Sequence, residues 1–403
     1  MISDLQSVLS ANALNMKKSV IRELLKLTQK KGIISFAGGL PAPSSFPIAE
    51  LKEIINEVLD KDGPMALQYS TTEGDLDLRE QLVKRYRQSG LDITTDNLII
   101  TTASQQGIDL LCRIFLNPGD TVICGLPSYL GGLQAFASYS ARTVGITFDK
   151  HGWRIDELEK MLKELQKNGS KPKFLYIIPD FQNPSGITMP ESRRKQIIAL
   201  AHEYDVLIVE DSPYREIRFE GEPQRMMYDL DGTGQVITLG TFSKTFVPGF
   251  RIGWVIAHPN IIDKIVTAKQ SADLCTPIFV QRIAARYMEK GLFEKNIEKI
   301  VRDYKEKRDT MLRGFREFMP EGVTWTEPEG GLFLFLTLPG NMDAEKLFHK
   351  AVEKNVAFVI GSAFYCNDCG RNTMRINFSF TSKEENREGV RRLAQVIRDE
   401  MNA

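Results

Sequence analysis

The residues from Thr241 to Arg251, TFSKTFVPGFR, combine the groups of a lysine nucleophile with those of a phosphate site. They follow a predicted buried strand at 235–240, so Lys244 lies just beyond the end of that strand. A lysine that acts as a nucleophile needs partial removal from water, which lowers its pKa. The hydroxyls of Thr241 and Ser243 and the guanidinium of Arg251 suit a phosphate. A surface lysine on a loop is the competing interpretation when this segment is taken alone.

Three further polar segments follow predicted strands, and they are SQQ at 104–106, PDFQNPSG at 179–186 and DSPY at 211–214. The first opens a predicted helix, where free backbone N–H groups and polar side chains can bind an anion. Open α/β sheets bind their ligands at the carboxyl ends of the strands. Because all four segments lie at such ends, we expect Lys244 to share one ligand site with the other three.

Short apolar runs predict the strands that position these segments, and they are NLIITT (97–102), TVIC (121–124), TVGIT (143–147), KFLYII (173–178), DVLIVE (205–210), QVITLG (235–240) and GWVIA (253–257). Most are too uniformly apolar for exposed edge strands, and helical stretches separate several of them. This alternation predicts a mostly parallel sheet covered by helices on both faces. The gap before 253–257 is too short for a crossover helix, which favours an antiparallel direction for that run.

Beyond residue 258 the pattern becomes that of a small α+β unit. It predicts a long amphipathic helix at 289–318, a strand at 330–338, a helix at 343–354, a strand at 375–380 and a terminal helix at 383–401. The first residues predict an arm with a helix at 19–29. We therefore predict an N-terminal arm and helix at 1–44 that pack with the small domain, a large domain at 45–288 and a small domain at 289–403.

Composition and charge exclude several classes of protein. The 52 Lys and Arg side chains balance the 52 Asp and Glu side chains, so neither a nucleic acid nor an anionic membrane would be attracted. No apolar run approaches the ~18 residues of a membrane span, and Asp4, Gln6 and Ser7 interrupt any signal-peptide core. Five cysteines are too few for a disulfide framework. We expect a soluble, cytoplasmic protein.

Common nucleotide and metal motifs are missing from the sequence. It contains no GxxxxGK loop, no GxGxxG after a strand and no HExxH, and its four histidines are scattered. Cys366 and Cys369 have the CxxC spacing of a redox or zinc site, but no second pair accompanies them. We interpret this pair as part of a loop and predict no metal site.

Nine stretches carry a resemblance to a known family, and they are SVIRELLKLTQ, ISFAGGLPAP, LQYSTTEGDLDLR, TTASQQGIDLL, PSYLGGLQAF, FQNPSGITM, VEDSPYRE, TFSKTFVPGFRIGW and MRINFS. Over essentially its whole length the sequence resembles the fold-type I, class I and II aminotransferases that depend on pyridoxal 5′-phosphate. Within that family it is most similar to the 2-aminoadipate and broad-specificity aminotransferases. The resemblance implies an α/β fold, with a seven-stranded, mostly parallel sheet in the large domain and a small α+β domain.

The resemblance also implies how each residue would hold the cofactor. Lys244 would bind its aldehyde covalently, and Asp211 would pair with the protonated pyridine nitrogen. Tyr214 and Asn183 would hydrogen-bond the phenolic oxygen of the ring, and Tyr129 would stack on the ring face. The phosphate would be held by Ser104, Gln105, Thr241, Ser243 and Arg251. Many relatives carry serine where this chain has Thr241, and the hydroxyl is kept.

Further roles follow for the substrate and for a second subunit. Arg375 and Asn183 would hold the substrate α-carboxylate, Arg375 as a bidentate fork. Gly39 lies on a loop whose backbone can approach the ligand closely. Arg22 would either neutralise a distal carboxylate or swing away from apolar side chains; a solvated helix residue is the other interpretation. Tyr69 would reach the phosphate of the neighbouring subunit, which implies an obligate homodimer.

The expected reaction is transamination in two half-reactions. An L-amino acid displaces Lys244 from the cofactor, and the freed amine moves a proton from the substrate Cα to the cofactor carbon. Hydrolysis then releases a 2-oxo acid and leaves the aminated cofactor. The donor would be 2-aminoadipate, glutamate or an aromatic or branched amino acid. An acceptor such as 2-oxoglutarate would then restore the cofactor. Lys244, Asp211 and Tyr214 would be the catalytic residues.

Two alternative functions share this architecture. The first is a lyase or decarboxylase of the same fold, which the residue pattern does not exclude; a lyase would release ammonia without an acceptor. The second is the cofactor-sensing domain of a transcription regulator, which carries a DNA-binding module ahead of it. Here the FAGGLPAP segment begins at residue 36, so we expect too little preceding chain for such a module.

Overall fold

The computed structural model describes residues 5–15, 32–340 and 342–402. The helix predicted at 19–29, and Arg22 with it, lies outside these residues. The strands are β1 Ile34–Ser35, β2 Leu98–Thr102, β3 Thr121–Leu126, β4 Arg142–Asp149, β5 Gly152–Trp153, β6 Phe174–Ile177, β7 Leu207–Asp211, β8 Val236–Thr241, β9 Ile252–Ile256, β10 Thr324–Trp325, β11 Phe333–Thr337, β12 Val356–Ala357, β13 Val359–Ile360 and β14 Thr373–Asn377. The α-helices are α1 Ala11–Asn15, α2 Ile48–Ala66, α3 Leu76–Gln88, α4 Ala103–Phe115, α5 Leu130–Ser138, α6 Ile155–Lys167, α7 Glu191–Glu203, α8 Met227–Asp231, α9 Pro259–Gln270, α10 Ile278–Glu289, α11 Leu292–Phe318, α12 Ala344–Glu353 and α13 Lys383–Met401.

A sheet of eight strands forms the centre of the described part of the chain, in the order β2-β9-β8-β7-β6-β3-β4-β5. The five strands from β8 to β4 in this order are parallel to one another, which confirms the mostly parallel α/β fold. β9 is antiparallel to β8 and β2, as its short connection predicted, because only a 3₁₀ turn at Pro248–Phe250 lies between β8 and β9. The seven-strand prediction missed β5, a two-residue antiparallel partner of β4 that is too short to show a pattern.

Helices cover both faces of this sheet, so its inner strands are buried almost completely. α4 packs on β8 and β9 through Gly107, where an added Cβ would stand 2.9 Å from Leu239 and 3.2 Å from Val255. A larger side chain would push the helix off the sheet. The close packing keeps the first turn of α4, with Ser104 and Gln105, at the carboxyl end of β2.

A second sheet, in the order β10-β11-β14-β13, belongs to the C-terminal part of the chain. The helix predicted at 289–318 begins later, at Leu292, because Gly291 takes a left-handed φ of 66° and separates it from α10. The strand predicted at 375–380 lies at 373–377 instead. The helices predicted at 343–354 and 383–401 are confirmed as α12 and α13, and Ser382 begins α13 with a capping box.

The segment that follows β1 connects the N-terminal residues to this second sheet. β1 pairs in parallel with β12, and the N–H of Phe36 donates to the carbonyl of Ala357 at 2.8 Å. The N–H of Asn377, at the end of β14, donates to the carbonyl of Phe36 at 2.9 Å. Phe36 is fully buried. The residues after it contact both sheets, because the Ala37 carbonyl accepts from Arg375 on β14 and the Gly39 carbonyl accepts from Lys244 after β8. None of the helices in the described ranges is both long and apolar enough to cross a membrane.

Candidate active site

A cavity of about 580 Å³ opens at the carboxyl ends of β2, β6, β7 and β8. Its walls come from the central sheet, from the segment after β1 and from the second sheet. The cavity is lined by twelve residues for which the sequence predicted a role in ligand binding. They are Gly39, Ser104, Gln105, Tyr129, Asn183, Asp211, Tyr214, Thr241, Ser243, Lys244, Arg251 and Arg375. The four strand-end segments therefore meet at one cavity, and their role as a ligand site stays a prediction.

Lys244 follows β8 and points its amine into the cavity, where Nζ donates to the carbonyl of Gly39 at 2.7 Å. Desolvation, together with the positive charges of Arg375 and Arg251, lowers the pKa of Lys244 to about 8, and the charge of Asp211 opposes the shift. An appreciable fraction of this amine is therefore neutral near pH 7 to 8. A neutral amine is the nucleophilic form, so the site supports covalent attack on a carbonyl.

Asp211 ends β7 and is 2% exposed. Its Oδ2 accepts a hydrogen bond of 2.5 Å from the hydroxyl of Tyr176, while Oδ1 has no hydrogen-bond partner among the described residues. Burial raises the pKa of Asp211 to about 6, and the Tyr176 hydrogen bond and the Lys244 charge oppose the rise. A buried carboxylate oxygen without a partner is costly in an isolated protein, so Oδ1 suits a cationic or N–H group of a ligand.

Tyr176 is a residue of this site that the sequence analysis missed. It lies on β6 within the apolar run KFLYII, which predicts a buried strand but no function. Its contact with Asp211 depends on β6 and β7 being neighbours, and Tyr176 pairs with Val209 in that register. The one available signal was a tyrosine with its polar hydroxyl inside an otherwise apolar strand.

Arg375, Asn183 and Tyr214 form a connected polar group in the same cavity. Arg375 lies on β14; its Nη1 donates to Asn183 Oδ1 at 3.0 Å and its Nη2 to the Ala37 carbonyl at 2.8 Å. Asn183 Nδ2 donates to the Tyr214 hydroxyl at 3.3 Å. Arg375 Nε is buried without a partner in the described part of the chain. Burial lowers the pKa of Arg375 to about 10, so the guanidinium stays charged at neutral pH and can bind a carboxylate.

Hydroxyls and backbone N–H groups come together at the start of α4. The residue before the helix, Thr102, does not cap it with its side chain. The first helical N–H, that of Ala103, donates to the Arg251 carbonyl at 3.0 Å, so the N–H groups that follow it are the ones that could bind a ligand. Thr241 and Ser243 stand together, 2.9 Å apart at their hydroxyls. The exposed Arg251 supplies a positive charge from a left-handed backbone position, φ 53°. Together these groups suit a phosphate.

Tyr129 contributes an aromatic ring to the wall of the cavity. It precedes α5 and is half-buried, and its hydroxyl donates to Gln105 Oε1 at 3.2 Å. Gln105 in turn donates through Nε2 to the carbonyl of Gly131 at 2.9 Å. These contacts hold the aromatic ring against the cavity, where a planar ligand could stack.

Tyr69, Cys366 and Cys369, which the sequence also singled out, do not line the cavity. Tyr69 does not line the cavity of its own chain and is 78% exposed. Cys366 interacts through its thiol with Cys124, while Cys369 is exposed. Within the ranges that the structure describes, no group of three or more His, Cys, Asp or Glu side chains could hold a metal ion.

The donor set fits pyridoxal 5′-phosphate. The unpaired Oδ1 of Asp211 suits a protonated ring nitrogen, and the amine of Lys244 suits an aldehyde. The hydroxyls of Thr241 and Ser243, with Arg251 and the start of α4, suit the phosphate. Arg375 remains available for the carboxylate of a second ligand.

Comparisons with known proteins agree with this chemistry. The model of the family "Aminotransferase class I and II" matches residues 37–393. The chain is 49% identical over 399 residues to aromatic-amino-acid aminotransferase 1 of Thermococcus litoralis, over 99% of this chain and 96% of that protein. A kynurenine aminotransferase of Pyrococcus horikoshii, solved in complex with PMP, superposes with a TM-score of 0.96 at 48% identity, over 100% of both chains. An α-aminoadipate aminotransferase of Thermus thermophilus, complexed with N-(5′-phosphopyridoxyl)-L-leucine, superposes with a TM-score of 0.92 at 38% identity, over 99% of both chains.

Proposed function

The chain belongs to the class I and II aminotransferases and uses pyridoxal 5′-phosphate, and we propose that the cavity below β6, β7 and β8 is where it binds this cofactor and its substrates. The observation that carries the proposal is the unpaired Oδ1 of the buried Asp211, which lines the same cavity as a lysine of lowered pKa. A buried carboxylate oxygen without a hydrogen-bond partner is stabilised when a ligand supplies a cationic group.

In this proposal, each end of the cofactor has its own set of residues. The phosphate binds at the start of α4, between Ser104 and Gln105 on one side and Thr241, Ser243 and Arg251 on the other. Asp211 holds the ring nitrogen, Tyr214 and Asn183 bind the ring's phenolic oxygen, and Tyr129 stacks on its face. The hydrogen bond from Asn183 to Tyr214 supports this pairing, since it already aligns both groups on one side of the cavity.

Lys244 has two tasks in the proposed mechanism. Its amine would hold the cofactor before the substrate arrives, and it would then take the proton from the substrate Cα and deliver it to the cofactor carbon that had carried the aldehyde. When bound, pyridoxal phosphate supplies an electron sink that makes this Cα proton removable. The lowered pKa of Lys244 suits both tasks, because an amine that titrates near pH 8 can accept a proton and release it again.

The substrate carboxylate binds at Arg375 in this proposal. Two guanidinium nitrogens already hold acceptors on Asn183 and Ala37, which aligns the fork, and Nε is left without a partner in the described ranges. The rings of Phe333 and Phe364 lie 4.2 and 5.1 Å from the guanidinium carbon and, with Leu40, form an apolar wall beside it. This wall supports donors with aromatic or long apolar side chains.

The names of the relatives support the same range of donors, since they include aromatic amino acids, kynurenine and α-aminoadipate. We therefore propose aromatic amino acids and 2-aminoadipate as the first donors to test, with glutamate and branched amino acids after them. A dicarboxylate donor would need a second cation, for which Arg22 remains the proposed residue. The proposed acceptor is 2-oxoglutarate.

We also propose that the enzyme works as a homodimer in which Tyr69 completes the phosphate site of its partner. A cluster of exposed apolar side chains supports this, with Met65 at 61%, Leu67 at 71% and Tyr69 at 78% exposure. Large apolar groups left in water beside one another indicate a protein interface. A cytoplasmic location remains part of the same proposal.

The absorbance spectrum of the purified protein tests the activity and the donor together. With pyridoxal phosphate added and free cofactor removed, we expect a visible band, which an effective amino donor without an acceptor should convert to near-ultraviolet absorbance. 2-Oxoglutarate should restore the band. Protein that stays colourless after addition of the cofactor would contradict the proposal, and ammonia release without an acceptor would indicate the lyase alternative.

A further inference from the structure

Tyr176 is held rigidly behind Asp211, outside the cavity. It is 1% exposed, and its hydroxyl donates to Asp211 Oδ2 at 2.5 Å. The ring packs edge-on against Phe136, with centroids 5.3 Å apart. On α5, Gly132 lies so close that an added Cβ would stand 3.1 Å from the Tyr176 ring. The hydroxyl therefore has a fixed direction, and it occupies Oδ2, which leaves Oδ1 of Asp211 without a hydrogen-bond partner among the described residues.

The hydrogen bond from Tyr176 acts against a large opposing effect. Burial is the main cause that raises the pKa of Asp211, and a protonated Asp211 would lose its charge. The groups that face Asp211 are Tyr176 on β6, Lys244 after β8, Tyr129 before α5 and Tyr214 after β7. Only Tyr176 donates a hydrogen bond to the carboxylate among the described residues, whereas Lys244 acts through its charge.

Tyr176 can act only as a donor over the pH range in which the enzyme would work. Burial, and then the neighbouring charge of Asp211, raise the pKa of Tyr176 well above its ordinary value. The phenol therefore keeps its proton, and the proton stays directed at Oδ2. A donor hydrogen bond to the charged form of an acid favours that form.

We propose that Tyr176 is a positioning residue that keeps Asp211 ionised and directs its free Oδ1 to the ring nitrogen of the cofactor. The proposal rests on the pairing of Asp211 with that nitrogen under the proposed function. A purely structural tyrosine at this place would affect stability, but it would leave the pH dependence of cofactor binding unchanged. The two possibilities therefore differ in a measurable quantity.

The test compares the wild-type apoenzyme with Tyr176→Phe, which removes the hydroxyl and keeps the ring. The dissociation constant for pyridoxal 5′-phosphate is measured by fluorescence titration from pH 5.5 to pH 8.5. If the Asp211 titration moves upward by about one pH unit, binding weakens about fivefold at pH 6 and about twofold at pH 7, and it equals the wild-type value near pH 8.5. A uniform change across this range, or no change, would overturn the proposal.

Tyr86→Phe is the matched control, because Tyr86 is also buried and lies outside the cavity. Within the described ranges, its hydroxyl takes part in one hydrogen bond, which it accepts from Trp254 Nε1 at 2.9 Å. Its pH profile should match that of the wild type. If Tyr176→Phe does not fold, Gly132→Ala takes its place, because the added methyl group displaces the Tyr176 ring without removing the hydroxyl. The pH dependence of cofactor binding should then shift in the same direction by a smaller amount, and an unchanged pH profile would overturn the proposal. If the wild type itself does not bind the cofactor, the proposed function fails instead, which separates the two failures.

Discussion

Replacing Arg375 by lysine would keep a cation where we propose that the substrate carboxylate binds, but it would remove the planar fork. In the structure, the two terminal nitrogens of Arg375 bond Asn183 and Ala37, and its guanidinium lies 4.2 Å from the centre of the Phe333 ring. A lysine amine is a point charge and cannot hold these acceptors and a substrate carboxylate in one plane. At least one charge-assisted hydrogen bond to the substrate would be lost.

The size of the effect follows from that loss. A hydrogen bond to a charged group contributes about 1.5–3 kcal/mol, which corresponds to a decrease in kcat/KM of roughly 10- to 150-fold. The cavity itself adds a pH dependence. Burial lowers the pKa of Arg375, and it would also lower the pKa of a lysine at this position, which would therefore lose its charge more readily as the pH rises. The decrease should therefore be larger at pH 9 than at pH 7.

The assay measures the amino-donor half-reaction of phenylalanine and of 2-phenylethylamine, an amine without a carboxylate. Arg375→Lys should decrease kcat/KM for phenylalanine by the amount above and leave the slow reaction of the amine nearly unchanged. Arg218→Lys is the matched control, since Arg218 pairs with Asp180 and Glu329 outside the cavity. Equal losses for both substrates, or no loss for phenylalanine, would refute the role of Arg375.

Three further predictions follow from the same geometry. Lys244→Ala should lower the rate of oxo-acid formation at least a thousandfold, and full activity would remove Lys244 from the mechanism; a coupled assay with 2-oxoglutarate measures it. The rate at which the apoenzyme takes up pyridoxal phosphate should rise with pH and level off above about pH 8, because the Lys244 amine is protonated below its pKa and a protonated amine is not nucleophilic. Stopped-flow absorbance measures this rate, and a rate independent of pH would contradict the prediction. Tyr69→Phe should weaken cofactor binding about tenfold, because one charge-assisted hydrogen bond to the phosphate is lost, and sedimentation should still show a dimer. An unchanged dissociation constant for the cofactor would show that Tyr69 does not reach the phosphate.

The strands of the central sheet could be predicted because burial on both faces demands uninterrupted apolar runs. The polar residues that break these runs mark the carboxyl ends of the strands, and for this reason Ser104, Asp211 and Lys244 could be assigned to one site. The direction of β9 followed from the length of its connection alone. β5 could not be predicted, since two residues carry no periodicity, and the break at Gly291 was hidden because a single glycine is tolerated in many helical patterns.

The contacts that adjust the site chemically could not be predicted from sequence. The hydrogen bond from Tyr176 to Asp211 joins residues on two neighbouring strands, and it depends on strand order and register. The contacts of Lys244 with Gly39 and of Arg375 with Ala37 join residues more than two hundred positions apart. No local pattern records such a pairing, since it results from the packing of the whole chain.

The pairing of β1 with β12 also determines when this active site can form during synthesis. The two strands are about 320 residues apart in the chain, and the Phe36 carbonyl accepts its hydrogen bond from Asn377, near the C-terminus. A chain emerging from the ribosome can assemble the central sheet. The segment that carries Gly39 cannot take its final position, however, until β12 and β14 have been made and can pair with it. Cofactor capture should therefore be among the last events in folding, and newly made protein should first exist with an open, unfinished pocket.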